Sequence, residues 1–227
     1  MFYYDSTYIL VLIGFLLAMA AEGAVRHAYN KWSDVQSRTG LTGRDIARKI
    51  LDAGGMQDIP IQRIAGELTD NYDASARVLS LSWSVYDSDS VAAIGIAAHE
   101  CGHALQDAQD YVPLRIRSNL VPVASVGSQA AIPLFLLGLF FSFRPLQIIG
   151  IACFVFAVLF YLVTLPVEFN ASRRAIEILS GGVIPEDEMT GVKSVLTAAA
   201  LTYVASALQA MLQLARLLLL SNRRRRD

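Results

Sequence analysis

Residues 97–107 read AAHECGHALQD. The chain has three histidines in 227 residues, and His99 and His103 are two of them. Residues four apart share one face of a helix, so both imidazoles can aim a nitrogen at a single point. Glu100 stands about 100° further round and flanks that point. This is the H-E-x-x-H arrangement: two ligands, plus a general base for a water that zinc activates. Random ordering of this composition yields such a triplet on the order of once in a thousand chains. The bland alternative is two satisfied histidines on one helix. The run AAIGIAAHECGHAL weakens it. Small apolar residues surround the pair, as a buried helix requires, and a buried His and Glu need partners. Cys101 and Cys153 fit no disulfide framework and read as packed thiols.

Upstream, Asp87, Ser88, Asp89 and Ser90 supply N-cap candidates, which predicts a helix over residues 90–108. The stretch RVLSLS (77–82) alternates as a half-buried strand does, and its edge is a candidate for pairing with an extended peptide. IPIQRIAG predicts a strand and turn, and residues 71–75 carry turn chemistry. Thr42 and Asp45 form a capping box opening a short helix with Ile46, Ile50 and Leu51 on one side. Gly54 and Gly55 close it.

Composition places the remainder of the chain in lipid. Hydrophobic residues make up 54% and charged residues only 17%, an unusual balance for a soluble domain. Four uncharged windows approach the roughly 20 residues a membrane helix needs: 6–21, 118–143, 145–167 and 194–215. The first has an alternative as a cleaved signal peptide, with Ala18-Met19-Ala20 as the processing site. It lacks the basic segment that opens such peptides and reads as a retained anchor. Phe2, Tyr3, Tyr4 and Tyr8 form a candidate aromatic belt.

Arg26, Lys31, Arg38, Arg44, Arg48 and Lys49 follow the first window, and Arg115 and Arg117 precede the second. Arg173, Arg174 and Lys193 follow the third. By the positive-inside rule the N-terminus faces out, and residues 26–118 and 168 onward face the cytoplasm. A fourth span would carry the arginines of residues 223–226 outward. Residues 194–215 also bear a polar stripe (Ser194, Thr197, Thr202, Ser206, Gln209, Gln213, Arg216), which predicts a helix lying on the cytoplasmic domain or the membrane surface. Three spans are therefore expected, four if this segment crosses. The basic tail is either solvated or in contact with anionic headgroups. No nucleic-acid fold signature accompanies it.

A catalytic zinc takes three protein ligands and keeps an open position. His27, at the end of the first window, is one candidate. Glu168 is the stronger one, because the hairpin 119–167 returns it to the membrane face from which the HECGH helix departs. Its alternative is an acidic helix cap.

HECGH followed by EFNASRRA (168–175), with an apolar anchor before and a hairpin between, resembles the YugP-like membrane zinc metallopeptidases of bacteria. The stretches LTDNYDASARVLSLSWSVYDSDSVAAIGIAAHECGHALQD and YVPLRIRSNLVPVASVGS are similar to that family too. The likeness covers most of residues 40–205. A more distant one is to the HtpX and Ste24 type peptidases, which combine H-E-x-x-H with a later E-x-x-A-D. The resemblance implies a helical, zincin-like fold, one Zn2+ per chain held by His99, His103 and Glu168, and Glu100 as catalytic base. Asn170 stands where Asp is expected, Ser172 where the distant pattern has Asp, and Asn71 in place of an expected His. These departures touch the surroundings of the ligands, not the ligands.

The expected protein is a mainly α, multi-pass protein of a bacterial plasma membrane. Residues 1–30 are its anchor, 31–118 the cytoplasmic catalytic segment with a small β element, and 119–167 the hairpin. Residues 168–227 hold the third-ligand helix, an amphipathic helix and the basic tail. The expected activity is zinc-dependent endopeptidase cleavage of membrane proteins or unfolded chains at the cytoplasmic face. Tyr72, Arg173 and Tyr203 are candidates for stabilising the transition state. The competing reading is a metal-stabilised membrane scaffold without activity. No part of the pattern sets an oligomeric state.

Overall fold

The computed structural model describes residues 6–223 and is mostly helical. The aromatic residues 2–4 and the arginines 224–226 lie outside the described residues. In chain order come α1 (Tyr8–Ser33), α2 (Gly43–Ala53), β1 (Ile61–Ile64), β2 (Asn71–Asp73), β3 (Val78–Ser82), α3 (Trp83–Tyr86), α4 (Val91–Ala108), α5 (Val112–Phe140), α6 (Arg144–Ile178) and α7 (Met189–Arg223). The chain divides into two compact units. One comprises Met1–Glu22, Arg115–Leu165 and Thr202–Asp227, the other Gly23–Leu114 and Pro166–Leu201.

The second unit carries the sheet and the HECGH helix. The capping box forms as expected: the Thr42 hydroxyl accepts from the Asp45 amide, and the Asp45 carboxylate accepts from the Thr42 amide. The two bonds satisfy orphan donors at the start of α2. Gly54 caps α2, and Gly55 takes a left-handed φ of 74°. Ile46, Ile50 and Leu51 then bury one face against α4, with Leu79, Leu81 and Ile94 in the same core.

The sheet has the order β1-β3-β2, with β1 parallel and β2 antiparallel to β3. This corrects the expectation for RVLSLS. β3 is flanked on both sides and has no free edge for a peptide. Leu79, Leu81, Ser80 and Ser82 are all buried, so the strand is covered on both faces rather than half-exposed. Elsewhere in this unit, the buried Glu188 at the approach to α7 accepts from the Ser37 hydroxyl at 2.6 Å and the Arg38 amide at 3.0 Å. That clasp ties the end of α1 to the start of α7 within the unit.

Four helices are long and apolar enough to cross a membrane: Tyr8–Ser33, Val112–Phe140, Arg144–Val183 and Met189–Asn222. Charge placement predicts three spans, with α7 as the possible fourth, and α7 is among these four candidates. Ser206, Gln209 and Gln213 line a cavity of about 380 Å³ together with Ser128 of α5 and Tyr161 of α6. Gly14 of α1 lies so close to Gln209 that a Cβ there would sit 3.1 Å from Gln209 Cγ. The Arg216 guanidinium stacks over the Tyr8 ring at 4.2 Å. Ser206, Gln213 and Arg216 are partly buried, while Gln209 is exposed along with Leu208, Met211, Leu218 and Leu219. Phe135, fully buried, packs with Phe154, Val158, Ala210 and Leu217 to form this unit's core.

Candidate metal centre

The Ser90 hydroxyl accepts from the Ala93 amide at 3.2 Å and so fixes where α4 begins. That start sets the rotational phase of the helix. His99 and His103 fall on one face, their ring centroids 4.9 Å apart and the planes nearly perpendicular. α6 brings Glu168 to the same place. Glu168 Oε2 lies 3.2 Å from His99 Nε2 and 3.5 Å from His103 Nε2. One ligand atom from each of the three residues lies within 4.8 Å of the other two. The opposite ring nitrogens are held elsewhere: His99 Nδ1 is 3.1 Å from the Ser172 hydroxyl and His103 Nδ1 is 3.0 Å from Gln106 Oε1. Both Nε2 atoms are thereby aimed at the carboxylate.

Close approach of α4 and α6 makes this meeting possible. Gly102 faces Ala171, and a Cβ on Gly102 would lie 2.7 Å from the Ala171 carbonyl oxygen and 3.1 Å from its Cα. Backbone cannot yield as a flexible side chain can. Gly102→Ala is therefore expected to force α6 outward, destabilising the fold by about 1–3 kcal/mol and weakening metal binding. Thermal unfolding in detergent with and without zinc checks it, and an unchanged midpoint in both would mean the helices part without consequence.

The donor set fits zinc. Two imidazole nitrogens and one carboxylate oxygen are its ordinary catalytic ligands. Glu168 is 2% exposed and His103 7% exposed, and a carboxylate buried that deeply needs a cation or several donors. Burial alone would lower the His103 pKa. The hydrogen bond with Glu168 and the charge of Glu100 outweigh it and raise the imidazole above its ordinary value. The site therefore favours positive charge, which a divalent cation supplies.

Glu100 is 8% exposed, and its side chain makes no hydrogen bond to another described residue. Its charge is felt by Asp70, whose carboxyl is pushed up first by burial and further by Glu100. Asp70 accepts from the Ser82 amide at 2.7 Å and from the Ser82 hydroxyl. Cys101 is fully buried, its thiol pushed up by that burial and aimed at the Ala47 carbonyl. It stays a protonated core residue and not a ligand.

The other candidates are not gathered at this point. His27 is exposed on α1 and is absent from the cluster. The Tyr72 hydroxyl donates to Asp107 at 2.9 Å, one turn beyond His103. Arg173 is largely exposed and pairs with Glu177. Tyr203 lies on α7 and is partly exposed. Beside the Ser172 wall opens a cavity of about 430 Å³, lined by Phe169, Ser172, Arg173, Ile176, Leu196 and Leu201. Sequence reasoning missed Gln106 and Asp70. Gln106 was within reach of a helical-face argument, since it stands three residues after His103. Asp70 carries no comparable signal, because its approach to Glu100 depends on the sheet.

A family model described as "Putative neutral zinc metallopeptidase" matches residues 7–222. Among relatives is the "Putative membrane protease YugP" of Bacillus subtilis (strain 168), 44% identical over 205 residues, which cover 90% of this chain and 91% of that protein. No solved structure matches the chain.

Proposed function

The chain belongs to the neutral zinc metallopeptidase family whose model spans residues 7–222, and from that premise we propose that it is a zinc-dependent endopeptidase at the cytoplasmic face of a bacterial membrane. The observation that carries this reading is the meeting of His99, His103 and Glu168 within 4.8 Å, with Glu100 adjoining His99 in sequence and itself buried. Zinc held by these three would supply Lewis acidity and would lower the pKa of a water from its bulk value toward about 7.

The remaining work falls to the protein. Glu100 takes a proton from the attacking water and later delivers it to the leaving amine. Among the described residues no hydrogen bond competes for its carboxylate. Ser172 and Gln106 hold the two imidazoles so that neither ring turns during the reaction. The apolar lining of the 430 Å³ cavity suits a hydrophobic side chain of the substrate, with Arg173 on its wall. Cytoplasmic orientation is argued from the basic residues that cluster after the first apolar window and after the third. Substrates would then be cytoplasmic segments of membrane proteins or unfolded chains.

Metal removal tests the reading. The purified full-length chain in detergent is expected to cleave unfolded casein, to stop when a strong chelator removes the metal, and to resume when zinc is returned. Cleavage that persists after the metal has gone would sink it. Zinc binding without any cleavage would favour the scaffold instead.

A further inference from the structure

We infer that Arg174, Asn170 and Gln106 form a positioning relay that dictates which nitrogen of His103 is offered to the metal. The inference rests on the metal-site reading above and names three residues that act through His103.

The direction of the relay follows from what each group can do. A guanidinium only donates. Arg174 Nε donates to the Asn170 side chain at 2.7 Å, so the atom it meets is the amide oxygen, Oδ1. The same Oδ1 lies 3.0 Å from one terminal atom of the Gln106 side chain, and that atom also lies 2.8 Å from the Val167 carbonyl oxygen. Facing two acceptors, it must be the amide nitrogen. The other terminal atom of Gln106 is then its oxygen, 3.0 Å from His103 Nδ1. An amide oxygen only accepts, so Nδ1 carries the proton. A neutral imidazole has one such proton, which leaves the lone pair on Nε2, the nitrogen that faces Glu168.

The reverse orientation of Gln106 would set its oxygen against two other oxygens and push the proton to Nε2. Burial makes that arrangement costly, since Gln106 is 0% exposed. A second arm of Arg174 donates to Gln109 Oε1 at 2.7 Å and fixes α6 against the end of α4. His99 has no equivalent. Its Nδ1 meets a serine hydroxyl, which can donate or accept. His103 is therefore the fixed ligand and His99 the adaptable one.

Asn170 serves here as a pure acceptor toward both Arg174 and Gln106, which an aspartate could also do. This gives the test its conservative arm. Asn170→Leu severs the relay, Arg174→Met removes its source from a partly exposed position, and Asn170→Asp preserves it. Zinc affinity is read by competition with a chelating dye on the full-length chain. The His103 tautomer is read from the 15N spectrum of histidine-labelled, metal-free protein at a pH high enough to keep the imidazole neutral, which the presence of only three histidines keeps assignable.

Asn170→Leu and Arg174→Met are expected to weaken zinc binding by roughly 10–100-fold and to give His103 a mixed tautomer signal. Asn170→Asp should stay within a few-fold of wild type with Nδ1 protonated. A single Nδ1-protonated signal and wild-type affinity in Asn170→Leu would overturn the relay, as would Asn170→Asp failing as badly as Asn170→Leu. A wild type that binds no zinc sinks the metal reading alone, because the metal-free spectrum still decides the relay.

Discussion

Glu100→Gln is expected to lower the cleavage rate by roughly 10²–10⁴-fold while zinc stays bound with wild-type affinity. Glutamine keeps the shape of the side chain and removes its ability to take a proton. The Glu100 side chain makes no hydrogen bond to another described residue and is not one of the three converging residues. A neutral amide at a position only 8% exposed also relieves a buried charge, so the folded state should not suffer. Single-turnover cleavage of a fluorogenic peptide, with zinc content measured on the same sample, separates the two effects. A Glu100→Gln variant that cleaves at the wild-type rate would remove the general base from the mechanism. One that loses zinc would instead make Glu100 part of the metal's support.

The HECGH helix was legible because helical spacing is a local property. Ser90 caps α4 as the residues before it predict, and His99 and His103 meet on one face. The Thr42 capping box was legible for the same reason. Glu168 was reached by topology, since a hairpin returns the chain to the side it left. What the sequence concealed is what each face meets. The polar stripe of α7 suits a helix lying on a surface as well as one turned inward, because periodicity says which residues share a face and not what covers it. RVLSLS alternates like a half-buried strand, yet both of its faces are covered and β1 and β2 take both of its edges. Gly102 carries no local signal of its role, because its part in the approach of Ala171 exists only once α6 is in place.

Glu168→Gln is expected to weaken zinc binding by more than the roughly 10–100-fold that follows loss of an outer partner, and to abolish cleavage with it. The substitution leaves the volume of the side chain intact but withdraws the single negative charge that both imidazoles face. Zinc loses a ligand and the charge that offsets its own. Glu168→Asp should not rescue it fully, because the carboxylate recedes by about 1.5 Å, and Glu168 Oε2 already stands 3.2 and 3.5 Å from the two nitrogens. Ligand binding to the native state alone raises stability with ligand concentration, by about 2.7 kcal/mol at a hundred times Kd. Wild-type protein should therefore melt at higher temperature as zinc is added, and Glu168→Gln should not respond over the same range. Glu177→Gln, on the exposed side of the same helix, should respond like wild type. A zinc-dependent shift of equal size in Glu168→Gln would make Glu168 a partner of the histidines and send the search for the third ligand elsewhere.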